Sequence, residues 1–317
     1  MSLVGARVVL RRRAGHRDGR PVYADVLGEL LSADGTALVV RRADGTTVHV
    51  PAAEVHRVRT VPPDRTAVFA LEKVAARGWP ATDTARLGDW LLRATAGAEH
   101  MDVAGWTRRT SSALLVGDPS RPTRDALAVV RGWYAERGLP ARLTIPLPAM
   151  AAVDHVAGEL GFAVEADSEV LVRPVPPIGP GPPVEAGPGV RLDRELTDAW
   201  AAAYQVRPVP PVARRVITGP DQVVFASIED GGVVVAIARG VVTDGWLGVA
   251  AVEVRPEHRR RGLAGRIVRG LFGWGAGQGA TRCHLQVEAG NDAAQALYEG
   301  LGFSQHHRYR LRVSPPG

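Results

Sequence analysis

The chain has 317 residues, a formal net charge of +6, a pI near 10.2 and a single cysteine. That length predicts two or three domains with room for real cores, and one cysteine excludes a disulfide framework and a cysteine-ligated metal site. Lys73 is the only lysine; the remaining positive charge is arginine, which beside the abundance of Ala, Gly and Val reads as compositional bias more than as a demand for an acidic partner.

The N-terminus reaches Arg7 and Arg11–Arg13 without a long apolar run, so neither a signal peptide nor a membrane span is expected, and a cytoplasmic protein is. Residues 1–60 read as short strands, Val8–Leu10, Val22–Leu31, Ala37–Val40 and Thr46–Val50. Asp34-Gly35 and Asp44-Gly45 form the turns, then Pro51 opens a one-turn helix and a closing strand follows. The pattern is that of a small SH3-like β-barrel. Ten arginines face six acids in it, a net of +4, but Tyr23 is its one aromatic residue. Without a stacking platform, an accessory or interface role is preferred over nucleic-acid binding.

Residues 64–173 read as an α/β unit. Thr66–Arg77 is helical, Trp90–Ala94 and Thr107–Val116 are strands, and Thr123–Arg137 is an amphipathic helix ending at Gly138. A strand at Leu143–Ile145, a helix at Val153–Leu160 and Gly161-Phe162 follow. Residues 174–189 hold seven prolines and four glycines, a semi-extended linker. Residues 190–317 form a second unit in a similar order: a short strand at 190–192, a helix at 195–204, a break at Pro208–Pro211 before 212–218, and strands at 222–228 and 233–242. The central strand then ends at Val254, a helix runs to about Trp274, a strand covers 283–287, a helix 292–300, and closing strands lie within 303–313. Aligning Gly161-Phe162 on Gly302-Phe303 gives an offset of 141, which points to an internal repeat.

The chemistry-bearing stretch is Val252-Glu253-Val254-Arg255-Pro256-Glu257-His258-Arg259-Arg260-Arg261-Gly262-Leu263-Ala264-Gly265. It reads as strand, basic glycine-bearing turn and helix N-terminus. Such a turn offers unpaired backbone N–H groups and the positive end of a helix dipole to an anion. Downstream lie Asn291, Ala294, Leu297, Tyr298 and Gly302-Phe303. The offset puts Arg121 in the place of Gly262, within Gly117–Pro122. That loop contains two prolines that lack N–H groups and an Asp118 that repels phosphate, so the first copy is read as having lost its anion site.

Together the Arg-x-x-Gly-x-Ala turn and the Asn291–Tyr298 helix resemble the GNAT superfamily of acetyl-CoA-dependent N-acyltransferases. With the repeat, the N-terminal barrel and the Trp106–Ser112 stretch, the whole chain looks like actinobacterial tandem-GNAT acetyltransferases. The resemblance implies tandem α/β folds with mixed sheets flanked by helices, one site in the second copy, and acetyl-CoA as donor to an amine acceptor. It implies a pyrophosphate cradle on the Arg turn and a pantetheine arm lying along the backbone of Val252 and Val254, whose edge N–H groups polarise the thioester. The implied cofactor set is Val252, Glu253, Val254, Arg259, Arg260, Arg261, Gly262, Leu263, Ala264, Gly265, Asn291 and Tyr298. Asn291 matches a residue that contacts the pantetheine and equally suits a helix N-cap.

The resemblance makes Tyr298 the general acid for the departing thiolate. Leu297 and Phe303 flank it, so a packed core aromatic is the alternative. Glu253 and Glu288 both remain candidates for the base, since Gln286 stands where some relatives carry a glutamate. Adjacent strand residues His306 and His307 are expected to face opposite ways, and no metal site is expected. Cys283 is expected to be a buried structural thiol. A CoA-sensing binding protein remains the competing reading, and monomer and homodimer both remain open.

Overall fold

The computed structural model describes residues 3–95, 108–176, 189–204 and 209–315. Trp106, Thr107 and most of the Pro/Gly stretch lie outside that set. An antiparallel sheet opens the chain: β1 (Arg7–Arg17), β2 (Arg20–Ala33), β3 (Ala37–Arg41), β4 (Thr47–Pro51) and β5 (Val55–Thr60), in the order β4-β3-β2-β1-β5. Val8, Leu10, Val26, Leu30, Val40 and Val50 take alternate positions along these strands and are at most 2% exposed, forming their own core. Asp34 and Asp44 each accept the N–H two residues on, at 2.7 and 2.9 Å, which fixes the two turns. Glu29–Arg282 (2.6 Å) and Arg7–Asp64 (3.5 Å) tie this sheet to the rest of the chain.

All other strands join one mixed sheet of eleven. Its spatial order is β11 (Val190–Asp193), β12 (Val223–Asp230), β13 (Val233–Thr243), β14 (Trp246–Val254), β15 (Arg282–Glu288), β10 (Ala163–Pro174), β16 (Ser304–Val313), β9 (Arg142–Leu147), β8 (Ala113–Leu114), β7 (Trp90–Ala94) and β6 (Asp83–Leu87). The helices are α1 (Arg65–Arg77), α2 (Thr123–Ala135), α3 (Ala151–Glu159), α4 (Asp198–Ala203), α5 (Pro211–Thr218), α6 (Leu263–Gly277) and α7 (Asp292–Gly300). A shift of 141 residues carries α3 onto α7 end for end and brings α2 within one residue of α6 at each terminus.

The centre of the sheet is an exchange. β10, which follows α3, lies between β15 and β16; Val170 pairs with Gln286 on one side and His307 on the other. β16, which follows α7, lies between β10 and β9, with Arg310 opposite Ile145. Each half therefore places its last strand against the other half's penultimate strand. Neither half completes its ladder alone, so backbone hydrogen bonds as well as packing couple the two cores.

The expected strand at Thr107–Val116 reduces to β8, among its described residues. Thr110, Ser111 and Ser112 are buried but bonded through side chains instead of a ladder. The Thr95 N–H donates to Ser111 Oγ at 3.1 Å, and Arg93 donates to Ser112 O at 3.0 Å and Ser112 Oγ at 3.2 Å.

Candidate functional site

β14 and β15 run parallel only over Trp246↔Arg282, Leu247↔Cys283 and Gly248↔His284, and then part. β14 is bulged just beyond. Arg239 pairs with Ala250 and Ile237 with Glu253, so Ala251 and Val252 together oppose Ala238, and Ala251 holds φ 51°. After the bulge, the Arg255 N–H donates to Val235 O at 2.9 Å. The two-residue period then aims the N–H groups of Val252 and Val254 at the opposite edge, into the gap left by β15.

The gap leads to a helix start. Pro256–His258 make a single 3-10 turn, Arg260 holds φ 63°, and Gly262 holds φ 73° as N-cap of α6 without a side-chain cap. The first helical bond runs from the Arg266 N–H to Gly262 O at 3.0 Å. The N–H groups of Leu263, Ala264 and Gly265 therefore have no helical acceptor. A Cβ built on Gly262 meets no atom within 4 Å, so this surface is open. Anion-binding geometry thus follows from a left-handed glycine, three free donors and the positive end of a dipole.

The arginines divide their tasks. Arg259 Nε donates to Val254 O at 3.2 Å, bracing the end of β14. Arg261 lies 3.9 Å from Asp230, and Arg260 contacts no carboxylate among the described residues. Arg266, which sequence reasoning missed, has a buried Nε without a hydrogen-bond partner. Its signal was readable: an arginine in the first turn of a helix opposes the dipole unless an anion lies there.

Across the gap stands α7. Asn291 Oδ1 accepts the Ala294 N–H at 3.1 Å, so the side-chain oxygen caps the helix. Tyr298 is 8% exposed and packs edge-on to Phe303 at 5.7 Å, in the same cluster as Val252, Val254, Leu263 and Leu297. Burial pushes its hydroxyl up to about 12, against a pull from Arg109, so it is protonated throughout the neutral range. Cys283 is fully buried and its thiol is pushed up by burial, which leaves it an inert core residue.

Between the two halves lies a cavity of about 370 Å³. Glu72, Arg93, Arg108 and Arg109 enter it from the first half and Gln286 and Glu288 from the second. Glu288 is ion-paired with Arg108 at 3.3 Å, and Arg109 donates to Gln286 O at 3.4 Å. Glu253 is half-buried and stands outside this lining, so the two expected base candidates occupy different surroundings.

Glu72 was also missed. It sits on the buried stripe of α1 between Val68 and Ala75, a position where a charge signals a partner. Its Oε1 lies 2.8 Å from His307 Nε2, and His307 Nδ1 lies 2.8 Å from His306 Nδ1. The expectation that His306 and His307 face apart fails here. Val170 pairs with His307 and Leu171 with Gln305, so His306 is the extra residue of a bulge and its ring turns onto its neighbour's. Burial, with His307 and Arg282 nearby, pushes His306 down to about 3, so it is neutral. Among the described residues no three His, Cys, Asp or Glu converge to hold a metal ion.

Comparison with known proteins bears on the family and the fold. A family model described as probable histone acetyltransferase Rv0428c C-terminal matches residues 66–312, and one described as Rv0428c N-terminal Sm-like domain matches residues 2–59. The N-terminal sheet expected to be SH3-like is thus matched by an Sm-like description. The chain is 35% identical over 318 residues to the probable histone acetyltransferase Rv0428c of Mycobacterium tuberculosis, covering 97% of this chain and 94% of that one. It is 25% identical over 250 residues to the uncharacterized N-acetyltransferase YobR of Bacillus subtilis, covering 76% and 97%. A solved GCN5-related N-acetyltransferase from Kribbella flavida, 19% identical, superposes with a TM-score of 0.54 over 81% of this chain and 98% of its own, a likeness of fold.

Proposed function

We propose, from the premise that this chain belongs to the GNAT family of N-acetyltransferases, that it moves an acetyl group from acetyl-CoA to a primary amine at one site, built on its second half. The observation that carries the reading is the parting of β14 from β15 after Gly248↔His284, with the bulge at Ala251. It opens an edge of N–H donors that ends at an uncapped helix start.

The residues fit the donor. The free N–H groups of Leu263, Ala264 and Gly265, with Arg260 and Arg266, would hold a pyrophosphate, and the open surface over Gly262 admits it. Val252 and Val254 would pair with the amide-bearing arm as an added strand does. When bound, acetyl-CoA supplies an activated thioester. The Val252 and Val254 N–H groups are suited to polarise its carbonyl, and Tyr298, protonated, to donate to the departing sulfur. The cavity between the halves would seat the acceptor; within this reading the chain divides into an SH3-like module at 1–60, a first GNAT-like unit at 64–173 without a cofactor, a linker at 174–189 and the catalytic unit at 190–317.

Titration calorimetry with acetyl-CoA, followed by release of CoA thiol in the presence of amines, tests this. One equivalent bound per chain and acetylated amine as product are expected. Binding without turnover of any amine would leave a sensor in place of an enzyme.

A further inference from the structure

We propose that Glu72, on α1 of the first half, is the base that takes the proton from the acceptor's ammonium, and that His307 positions its carboxylate. This rests on the reading of the second half as the acetyl-transfer site.

Three carboxylates lie near the cavity or the gap, and they differ in kind. Glu288 is 66% exposed at its side chain and already paired with Arg108. Glu253 lies outside the cavity lining. Glu72 is 3% exposed and yet lines the cavity. A carboxylate buried this far is retained only where something holds it. His307, itself 4% exposed, does so at 2.8 Å. No described residue hydrogen-bonds the second oxygen.

A carboxylate accepts, so His307 Nε2 carries the hydrogen shared with Glu72. His306 is kept neutral by its burial. The charges facing Glu72 are few. The buried Arg93 guanidinium of β7, with its donors on Ser112, lines the same cavity, as do Tyr309 of β16, Arg108, Arg109 and Glu288. Burial holds the Arg93 guanidinium below its ordinary value, and Glu72 is among the groups that pull it back up. The pair exists only because of the exchange: α1 belongs to the first half, and β16, which carries His307, crosses into it from the second.

The proton balance is simple. The acceptor's R–NH₃⁺ gives one proton to the free oxygen of Glu72. The amine lone pair then forms the C–N bond as the C–S bond breaks, with its electron pair going to sulfur. The second proton lost by nitrogen is matched by the one gained by sulfur. Glu72 returns its proton to water as product leaves, so one proton is released per turnover.

The test uses the full chain, acetyl-CoA, and four amines in excess, a lysine-bearing histone-tail peptide, spermidine, kanamycin and ethylamine, with CoA thiol release followed from pH 5.5 to 9.5. Glu72→Gln keeps an acceptor for His307 and removes the base. It should lower kcat by roughly 100- to 10,000-fold while acetyl-CoA affinity and Tm stay as in the wild type. Its residual rate should climb as pH approaches the amine's own pKa, because free amine then needs no base. Glu72→Asp should recover part of the loss, and His307→Gln should shift the acid limb of the kcat profile without changing KM for acetyl-CoA. A Glu72→Gln enzyme with wild-type kcat, or one that only loses Tm, overturns the proposal and leaves the acetyl-transfer reading intact. Binding of acetyl-CoA with no amine used by the wild type also overturns it. Failure to bind acetyl-CoA at all removes the reading beneath it.

Discussion

Two loops occupy the same place in the two halves and do opposite things. Residues 117–122 lead from β8 into α2, and residues 256–262 lead from β14 into α6. In the first, the Asp118 N–H donates to Asp89 Oδ2 at 2.9 Å, the Ser120 N–H to Asp118 Oδ1 at 2.8 Å, and Pro122 caps the helix with no donor to offer. The strands beside it also stay zipped: beyond Leu114↔Thr144 the Leu115 N–H still bonds Thr144 O at 3.0 Å. In the second, the strands part and the donors stay open. The repeated fold is kept by apolar packing, whereas a binding site depends on a handful of backbone donors, so one copy can lose the site and keep the fold. The first half instead contributes Glu72, Arg108 and Arg109 to the cavity wall.

The largest effect should come from setting the two loops against each other. Gly262→Asp places a carboxylate where a pyrophosphate is proposed to sit. Nothing lies within 4 Å of the new Cβ, and aspartate is among the residues that tolerate a left-handed φ, so Tm should hold within a few degrees. Acetyl-CoA affinity should fall by at least about 100-fold, roughly 3 kcal/mol. Arg121→Asp at the equivalent, exposed position of the first half should leave affinity unchanged. Equal losses in both variants would erase the difference drawn between the halves.

A smaller effect is expected from Tyr298→Phe, which keeps the ring and its contact with Phe303. Turnover should drop by roughly 10- to 1,000-fold with little change in KM for acetyl-CoA, since the hydroxyl acts on the departing sulfur. The wild-type hydroxyl, pushed to about 12, stays protonated across any practical assay, so no basic limb below pH 10 should trace to it. A thiol pKa lies near about 8.5, so the defect should narrow at high pH as the thiolate departs unaided. The equivalent position in the first half is Ala157, which has no hydroxyl to lose.

Much of this was legible because it is local. The Arg turn, the α7 cap and the 141-residue offset rest on residues close in sequence, where spacing dictates geometry. The exchange of β10 and β16 was not legible. Both strands carry suitable apolar alternation, and nothing in that pattern says whether Val170 pairs with Gln286 or with a strand of its own half. The His306 bulge escaped for the same reason, since it arises from register against β10. Glu72 was in view on an apolar stripe, but its meaning needed His307, 235 residues away.

The smallest effect expected is at Glu288. Its carboxylate is 66% exposed and meets Arg108 at 3.3 Å, a solvent-screened pair of the kind that contributes about 0.2–1 kcal/mol. Glu288→Gln should therefore change kcat by no more than a few-fold and Tm by about 1–2 °C, and both differences should shrink in about 0.5 M salt, where the Debye length is only a few ångströms. A loss of 100-fold or more, insensitive to salt, would place the base on β15 of the second half. Glu72 would then be a structural carboxylate, and the first half would serve only as a wall of the cavity. A few-fold change beside a large loss in Glu72→Gln would assign the two halves separate tasks, donor binding to one and acceptor deprotonation to the other.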